Sequence, residues 1–253
     1  MTQAAIQQAA AILKAADSAC VLSGAGVSKE SGVPTFRDAQ EGLWAKYDPT
    51  ELATPNAYRK NPKLVWDWYE FRRGMVADVK PNPGHIALAA LEKHFSPFPI
   101  ITQNVDDLHE QAGSTSVTHL HGNIAGHKCF HDCHGKPTRV DIRTLEFDPD
   151  DGPPECPHCG RKSLRADVVW FGEMLPEDDL AYAMHVCAES DVIIVVGTSG
   201  LVTPAASLPR LTKEGGGKVI EVNPDYSMIT RIADVKLEGP SGDMLPKLVA
   251  AMG

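Results

Sequence analysis

An α/β fold built on a doubly wound, mostly parallel sheet is what this sequence predicts, on three observations. Short apolar runs rich in Val, Ile and Leu alternate with segments of helical period, the pattern left by strand–helix crossovers. The first run, Ala19–Ser23, stops at Gly24-Ala25-Gly26, a glycine loop that opens onto small and polar residues. Between Asn123 and Asp167 hydrophobic period gives way to Cys, His, Pro and charged residues, so a module that needs a staple interrupts the sheet.

In chain order, Ile6, Ala9, Ala10, Leu13 and Ala16 recur at helical spacing and predict an amphipathic helix over 3–16. The opening strand then delivers Gly24 and Gly26 to a turn whose backbone N–H groups suit pyrophosphate. A plain tight turn is the alternative, because the third glycine of Gly-x-Gly-x-x-Gly falls on Lys29. Residues 42–79 hold the breakers Pro49, Pro55 and Pro62 and an aromatic run over 64–73, which reads as a helical insert.

Asn82-Pro83-Gly84 leads into a helix over 85–94 and a strand over 98–103. The end of that strand carries Gln103, Asn104 and Asp106, where open α/β sheets place ligand contacts. A third strand over 117–120 ends at His121-Gly122, and strand character returns over 166–171. A helix over 177–189 precedes strands over 191–196, 218–222 and 234–237, of which the first two end at Gly197-Thr198-Ser199-Gly200 and Asn223. The expected division assigns 1–41, 81–125 and 168–253 to the sheet domain. A smaller domain takes a helical insert, 42–80, and a metal-binding insert, 126–167.

The length of 253 residues accommodates a large domain with such an insert. A net charge of −9 argues against a nucleic-acid partner and leaves Lys-rich protein segments as acceptable ones. No apolar run is long enough for a bilayer and the N-terminal stretch lacks a secretory pattern, so a cytoplasmic protein with no membrane partner is expected, taken as a monomer. Cys20 and Cys187 sit singly in apolar surroundings and read as small buried residues.

Cys129-x3-Cys133 and Cys156-x2-Cys159, with 22 residues between the pairs, point to one structural Zn2+ held by four thiolates. His127, His131, His134 and His158 share the module, and substitution of one for a thiolate is the alternative. His121, before a glycine that permits close backbone approach, is a side chain suited to take a proton near neutral pH, with a structural loop histidine as the alternative. Tyr69 and Arg72 stand at i and i+3 of the helical insert, so a phenol and a guanidinium can grip one carboxylate, with an ordinary solvated helix face as the alternative.

Taken together, Gly24-Ala25-Gly26-Val27-Ser28, Gly32-Val33-Pro34-Thr35-Phe36-Arg37, Thr102-Gln103-Asn104-Val105-Asp106, His121-Gly122, the two Cys pairs, Val168-Val169-Trp170-Phe171-Gly172-Glu173 and Gly197-Thr198-Ser199 resemble the sirtuins, NAD-dependent protein-lysine deacylases. The resemblance implies a Rossmann-like domain, a small domain from the two inserts, and NAD consumed as a substrate in the cleft between them. It assigns Gly24, Ala25, Gly26, Thr35, Phe36 and Arg37 to the NAD loop, and Gln103, Asn104 and Asp106 to the ribose and nicotinamide side. Gly197, Thr198, Ser199, Asn223 and Ser241 meet the adenosine half. His121 and Asn104 are the expected catalytic residues: the acyl oxygen attacks the ribose carbon bearing nicotinamide, giving an alkylimidate, and His121 acts as base on a ribose hydroxyl.

The same resemblance makes 169–173 a peptide-docking strand, with Val169, Phe171, Gly172 and Glu173 as substrate contacts. Tyr69-x-x-Arg72 is similar to the signature of sirtuins that remove succinyl and malonyl groups, and Ala53 to the small residue that leaves room for a longer acyl chain. The expected partners are acylated lysine side chains and NAD. Rival functions are a mono-ADP-ribosyltransferase, an NAD-dependent dehydrogenase, which the incomplete glycine pattern disfavours, and a non-enzymatic zinc module.

Overall fold

The computed structural model describes residues 2–33 and 46–253. In chain order the elements are α1 (Thr2–Lys14), β1 (Ala19–Ser23), α2 (Ala25–Lys29), α3 (Pro49–Leu52), α4 (Pro55–Lys60), α5 (Pro62–Ala77) and α6 (Pro83–Leu91). There follow β2 (Ile100–Thr102), α7 (Leu108–Gln111), β3 (Val117–His119), β4 (Gly122–Cys129), β5 (Leu164–Val168) and α8 (Glu177–Glu189). The chain ends with β6 (Val192–Val196), α9 (Leu208–Glu214), β7 (Lys218–Val222), β8 (Val235–Leu237) and α10 (Ser241–Met252). Two compact units result: Met1–Thr35, Val79–Leu120 and Pro176–Gly253 form the first, Phe36–Asp78 and His121–Leu175 the second.

The first unit holds a six-stranded sheet in the order β3-β2-β1-β6-β7-β8, every pair parallel. Its centre is apolar because both faces are covered: β6 reads Val-Ile-Ile-Val-Val and is buried throughout. Ile6 and Leu13 of α1, Leu88 and Leu91 of α6, and Leu245 and Leu248 of α10 pack with Val21, Ile100, Ile194 and Ile220 in one core. Each such side chain contributes about 2 kcal/mol by leaving water. The strand order reverses between β1 and β6, the switch point beside which open α/β sheets hold their ligand crevice.

Helix starts follow the capping residues. Asn82 accepts from the N–H groups of Gly84 and His85 while the His85 ring reaches back to the Asn82 N–H, so α6 begins at Pro83, earlier than the helix expected over 85–94. Neither α9 nor α10 is among the expected elements. Gly239, Pro240 and Pro246 mask the amphipathic row Met244, Leu245, Leu248 and Met252 of α10.

In the second unit β4 and β5 form an antiparallel pair whose register shifts between Asn123 and His127. Its core gathers Trp66, Cys129, Cys156 and Leu164, with Val140, Ile142, Leu145 and Phe147 packed against them. α5 is tied to β4 through Arg73, which donates to the Ile124 carbonyl at 2.8 Å and pairs with Glu70. The Tyr58 hydroxyl of α4 donates to the Leu164 carbonyl at 2.9 Å.

Three expectations change here. β4 has no counterpart among the predicted strands, since Gly122, Asn123, Gly126 and His127 hide its alternation. The strand expected over 166–171 is instead β5, and it ends at Val168. Beyond it Glu173 accepts from the Trp170 N–H at 2.9 Å and Gly172 turns the chain at φ +87°, so 169–173 leaves the β4–β5 ladder as a turn. Because β4 and β5 pair with each other, 121–125 and 168–175 lie with the second unit, not with the sheet as the expected boundaries had it.

Candidate active site

At the crevice of the first unit the loops after β1 and β6 close on one another. Gly24 N–H donates to the Val196 carbonyl at 2.9 Å and Gly26 N–H to the Gly197 carbonyl at 2.8 Å. A Cβ on Gly26 would stand 2.7 Å from Gly197 Cα, and one on Gly197, at φ +61°, would stand 2.4 Å from the Val27 nitrogen. Only glycine permits this approach. Beside it lies a pocket of about 530 Å³ lined by Gly26, Lys29, Glu30 and Ser241 and by residues 197–199 and 222–227.

Polar side chains brace the rim. Gln103 Nε2 donates to Thr198 Oγ1 at 3.0 Å and Asn223 Nδ2 to the Thr198 carbonyl at 2.9 Å, fixing Thr198 from two strands. Ser241 Oγ and the Gly242 N–H both donate to the Glu30 carboxylate. Ala25 is exposed at the start of α2 and Ser199 is half-buried. Thr35, Phe36 and Arg37 lie outside the described residues.

Behind the glycine loop runs a buried polar chain. Asn104 Nδ2 donates to Ser28 Oγ at 2.9 Å, His85 Nε2 lies 3.5 Å from the same hydroxyl, and Asn82 Nδ2 donates to the Val27 carbonyl. Asp106 shares this region; burial pushes its carboxyl up, against hydrogen bonds from the Leu108 N–H and Ser28. Burial pushes His85 down to about 4 and His109 down to about 3, so both rings are neutral. Sequence reasoning missed Ser28, His85 and the Asp225 and Tyr226 wall; only the Asn82-Pro83 helix start hinted at the first pair.

The second unit carries His121, Ala53, Tyr69, Arg72 and the 169–173 turn. His121 accepts at its carbonyl from the Val169 N–H at 2.8 Å. Gly122, at φ +77°, follows because a Cβ there would meet the Asp167 carbonyl at 2.1 Å. Buried Ala53, closing α3, accepts at its carbonyl from the Phe171 N–H at 2.9 Å. The N–H groups of Val169, Trp170, Phe171 and Glu173 are thus already donated within the unit.

Tyr69 is buried, its ring stacked on Trp170 with centroids 6.1 Å apart. Burial raises its phenol far above the ordinary range, against the nearby Arg165 and Arg72 charges, so it stays a hydroxyl donor. Arg72 is half-buried with its Cζ 5.1 Å from the Trp68 ring, and burial pulls its pKa down. Glu173 turns its carboxylate inward: Arg165 Nη1 donates to Oε1 at 2.6 Å and Nη2 to Oε2 at 3.1 Å. Burial would raise that carboxyl, but Arg165 and the Trp170 N–H hold it below the usual range.

The four cysteine sulfurs of Cys129, Cys133, Cys156 and Cys159 lie within 4.8 Å of one another. Cys129 and Cys159 Sγ are 3.9 Å apart, Cys133 and Cys156 Sγ 3.6 Å. A tetrahedron with Zn–S bonds of about 2.3 Å has edges of about 3.8 Å, so the thiolates fit zinc, and four protein ligands leave no open position. His134 and His158 stack on each other at 4.5 Å, and among the described residues the metal-ligating cluster contains no histidine. No helix among the described residues is long and apolar enough to cross a membrane.

The sequence model of the Sir2 family matches residues 24–204. An NAD-dependent protein deacylase of Pyrococcus abyssi is 49% identical over 244 residues, covering 96% of each chain. A solved Sir2 homologue–NAD complex is 44% identical with a TM-score of 0.87, covering 97% of this chain and 93% of its own. A 2′-O-acetyl ADP-ribose complex of a Sir2 homologue is 43% identical with a TM-score of 0.85, covering 100% and 96%.

Proposed function

The chain belongs to the Sir2 family, and from that premise we propose that it is an NAD-dependent protein-lysine deacylase whose substrates include succinyl- and malonyl-lysine beside acetyl-lysine. NAD is a co-substrate. The glycine-locked pocket of the first unit, with Asn223, Ser241 and Thr198 at its rim, suits the adenosine half, and Gln103, Asn104 and Asp106 the ribose and nicotinamide side. The acyl oxygen takes the place of nicotinamide at the ribose carbon, and His121 accepts a ribose hydroxyl proton. That hydroxyl attacks the imidate carbon and one water is taken up as the lysine nitrogen leaves, so the products are nicotinamide, O-acyl-ADP-ribose and the free lysine.

The observation that carries the acidic-acyl reading is the pairing of Tyr69 with Arg72 one turn apart on α5. The phenol is kept protonated and the guanidinium stands close enough to influence it. A succinyl carboxylate receives one hydrogen bond and one charge there, while buried Ala53 adds little bulk. The four-thiolate site holds one structural Zn2+. All six cysteines are unbridged, which favours a reducing compartment, the cytoplasm, and the charge of −9 favours protein over nucleic-acid substrates.

The test is mass spectrometry of NAD reactions with matched acetyl-, malonyl- and succinyl-lysine peptides. Nicotinamide release that depends on the acyl peptide, with O-acyl-ADP-ribose formed, is the expected result. ADP-ribose left on the peptide would instead make the protein an ADP-ribosyltransferase, and turnover of acetyl peptide alone would overturn the acidic-acyl reading.

A further inference from the structure

Arg165 does something that neither a sheet residue nor a surface cation does. It is the second residue of β5, its side chain is 1% exposed, and its guanidinium is divided between the end of the strand and the turn that follows it. Nη1 and Nη2 grip both oxygens of Glu173, Nη2 also donates to the Val168 carbonyl, and Nε donates to the Ala166 carbonyl at 3.3 Å. Its Cζ lies 3.2 Å from the centroid of the Trp170 ring. Glu173 returns the constraint by accepting from the Trp170 N–H.

Trp170 in turn backs the residues proposed to receive the acyl group: Tyr69 stacks on it at an interplanar angle of 26°, and Tyr58 and Phe130 approach it at 5.4 and 6.2 Å. The neighbouring Phe171 N–H is bound to Ala53. Taking a guanidinium and a carboxylate out of water is costly, and a turn of this length has cheaper apolar ways to close. A bidentate pair is the device that fixes orientation.

We propose that Arg165, acting through Glu173 and Trp170, is the positioning residue of the acyl-peptide site: it sets the 169–173 turn and the Trp170 face against which Tyr69 rests. Glu173 then serves the substrate through its backbone and through this pair, not by its carboxylate. The assignment rests on the deacylase reading. It differs from a role in the clamp, because Arg72 meets only an acid on the acyl chain, whereas a displaced turn weakens every acyl peptide alike.

The experiment compares Michaelis constants for NAD and for matched acetyl- and succinyl-lysine peptides in wild type, Arg165→Met, Arg165→Lys and Glu173→Gln. ADP-ribose binding is followed separately by calorimetry. Arg165→Met and Glu173→Gln should each raise KM for both peptides about tenfold or more, with KM for NAD and ADP-ribose affinity unchanged within about twofold. Arg165→Lys should recover part of the loss, since one ammonium reaches fewer of the acceptors.

If a single variant does not fold, Arg165→Met/Glu173→Leu removes both charges together, a change that buried pairs tolerate, and should show the same raised peptide KM. A folded double variant with wild-type peptide KM, or NAD and peptide constants rising together, overturns the assignment while leaving the deacylase reading intact. Absence of acyl-peptide-dependent nicotinamide release by the wild type overturns that reading and the assignment with it.

Discussion

Gly26 donates its N–H to the carbonyl of Gly197 at 2.8 Å, and neither residue has room for a side chain where it stands. The loop after β1 and the loop after β6 are thereby held together, and both glycines line the pocket beside them.

Gly26→Ala should therefore cost stability and nucleotide binding together. The added methyl meets backbone at 2.7 Å, which flexible side chains cannot relieve, so a loss of about 2 kcal/mol is expected from overpacking alone. Denaturant titration and calorimetry with ADP-ribose check this, and wild-type affinity in the variant would count against a loop-made site.

One zinc per chain should be found by metal analysis of the purified protein, and a strong chelator or Cys156→Ser should release it. Trp66 packs with Cys129 and Cys156, so its fluorescence should change as the metal leaves. A stoichiometry well below one would remove zinc from the account.

Arg72→Met should cut kcat/KM for succinyl- and malonyl-lysine peptides by about a hundredfold and that for acetyl-lysine by far less, as removal of a charge-assisted hydrogen bond predicts. Glu70 and Arg73 on the same helix are paired with each other, and Arg72 is one of two cations, with Arg165, whose charge acts on the Tyr69 phenol. Equal losses on all three peptides would dissolve the clamp.

Acidification should destabilise the first unit through its buried histidines. His85 and His109 are pushed down to about 4 and about 3 by burial, with their ring centroids 4.9 Å apart. Between about pH 6.5 and 5 the unfolded chain takes up protons that the folded one refuses, so stability falls as pH falls. His119, raised against its burial by Glu110, has the opposite sign: its contribution is complete below about pH 6.5 and adds no slope in this window. The melting temperature should drop across that range in wild type and less steeply in His109→Gln; identical slopes would assign the effect elsewhere.

What the sequence determined by itself was local and periodic. The apolar runs of β1, β6 and β7, the helix of α8 and the paired cysteines are short-range patterns, and each survives in the structure because burial on both faces, helical period or metal geometry demands that residue type. The glycine loop was legible as a turn, with its partner unnamed.

Tertiary structure alone decided what those pieces meet. That Gly197 closes on Gly26, that Ser28 and Asn104 share a hydrogen bond, and that β4 pairs with β5 are contacts between distant positions, and no propensity encodes them. Glu173 is the clearest case. The sequence marks it as a substrate contact beside Phe171 and Gly172 without saying where its side chain goes; Arg165 lies beneath the turn, and a buried cation with bidentate geometry outcompetes solvent for the carboxylate. The direction of that one side chain follows from the charge it is folded against, which the linear order of residues does not state.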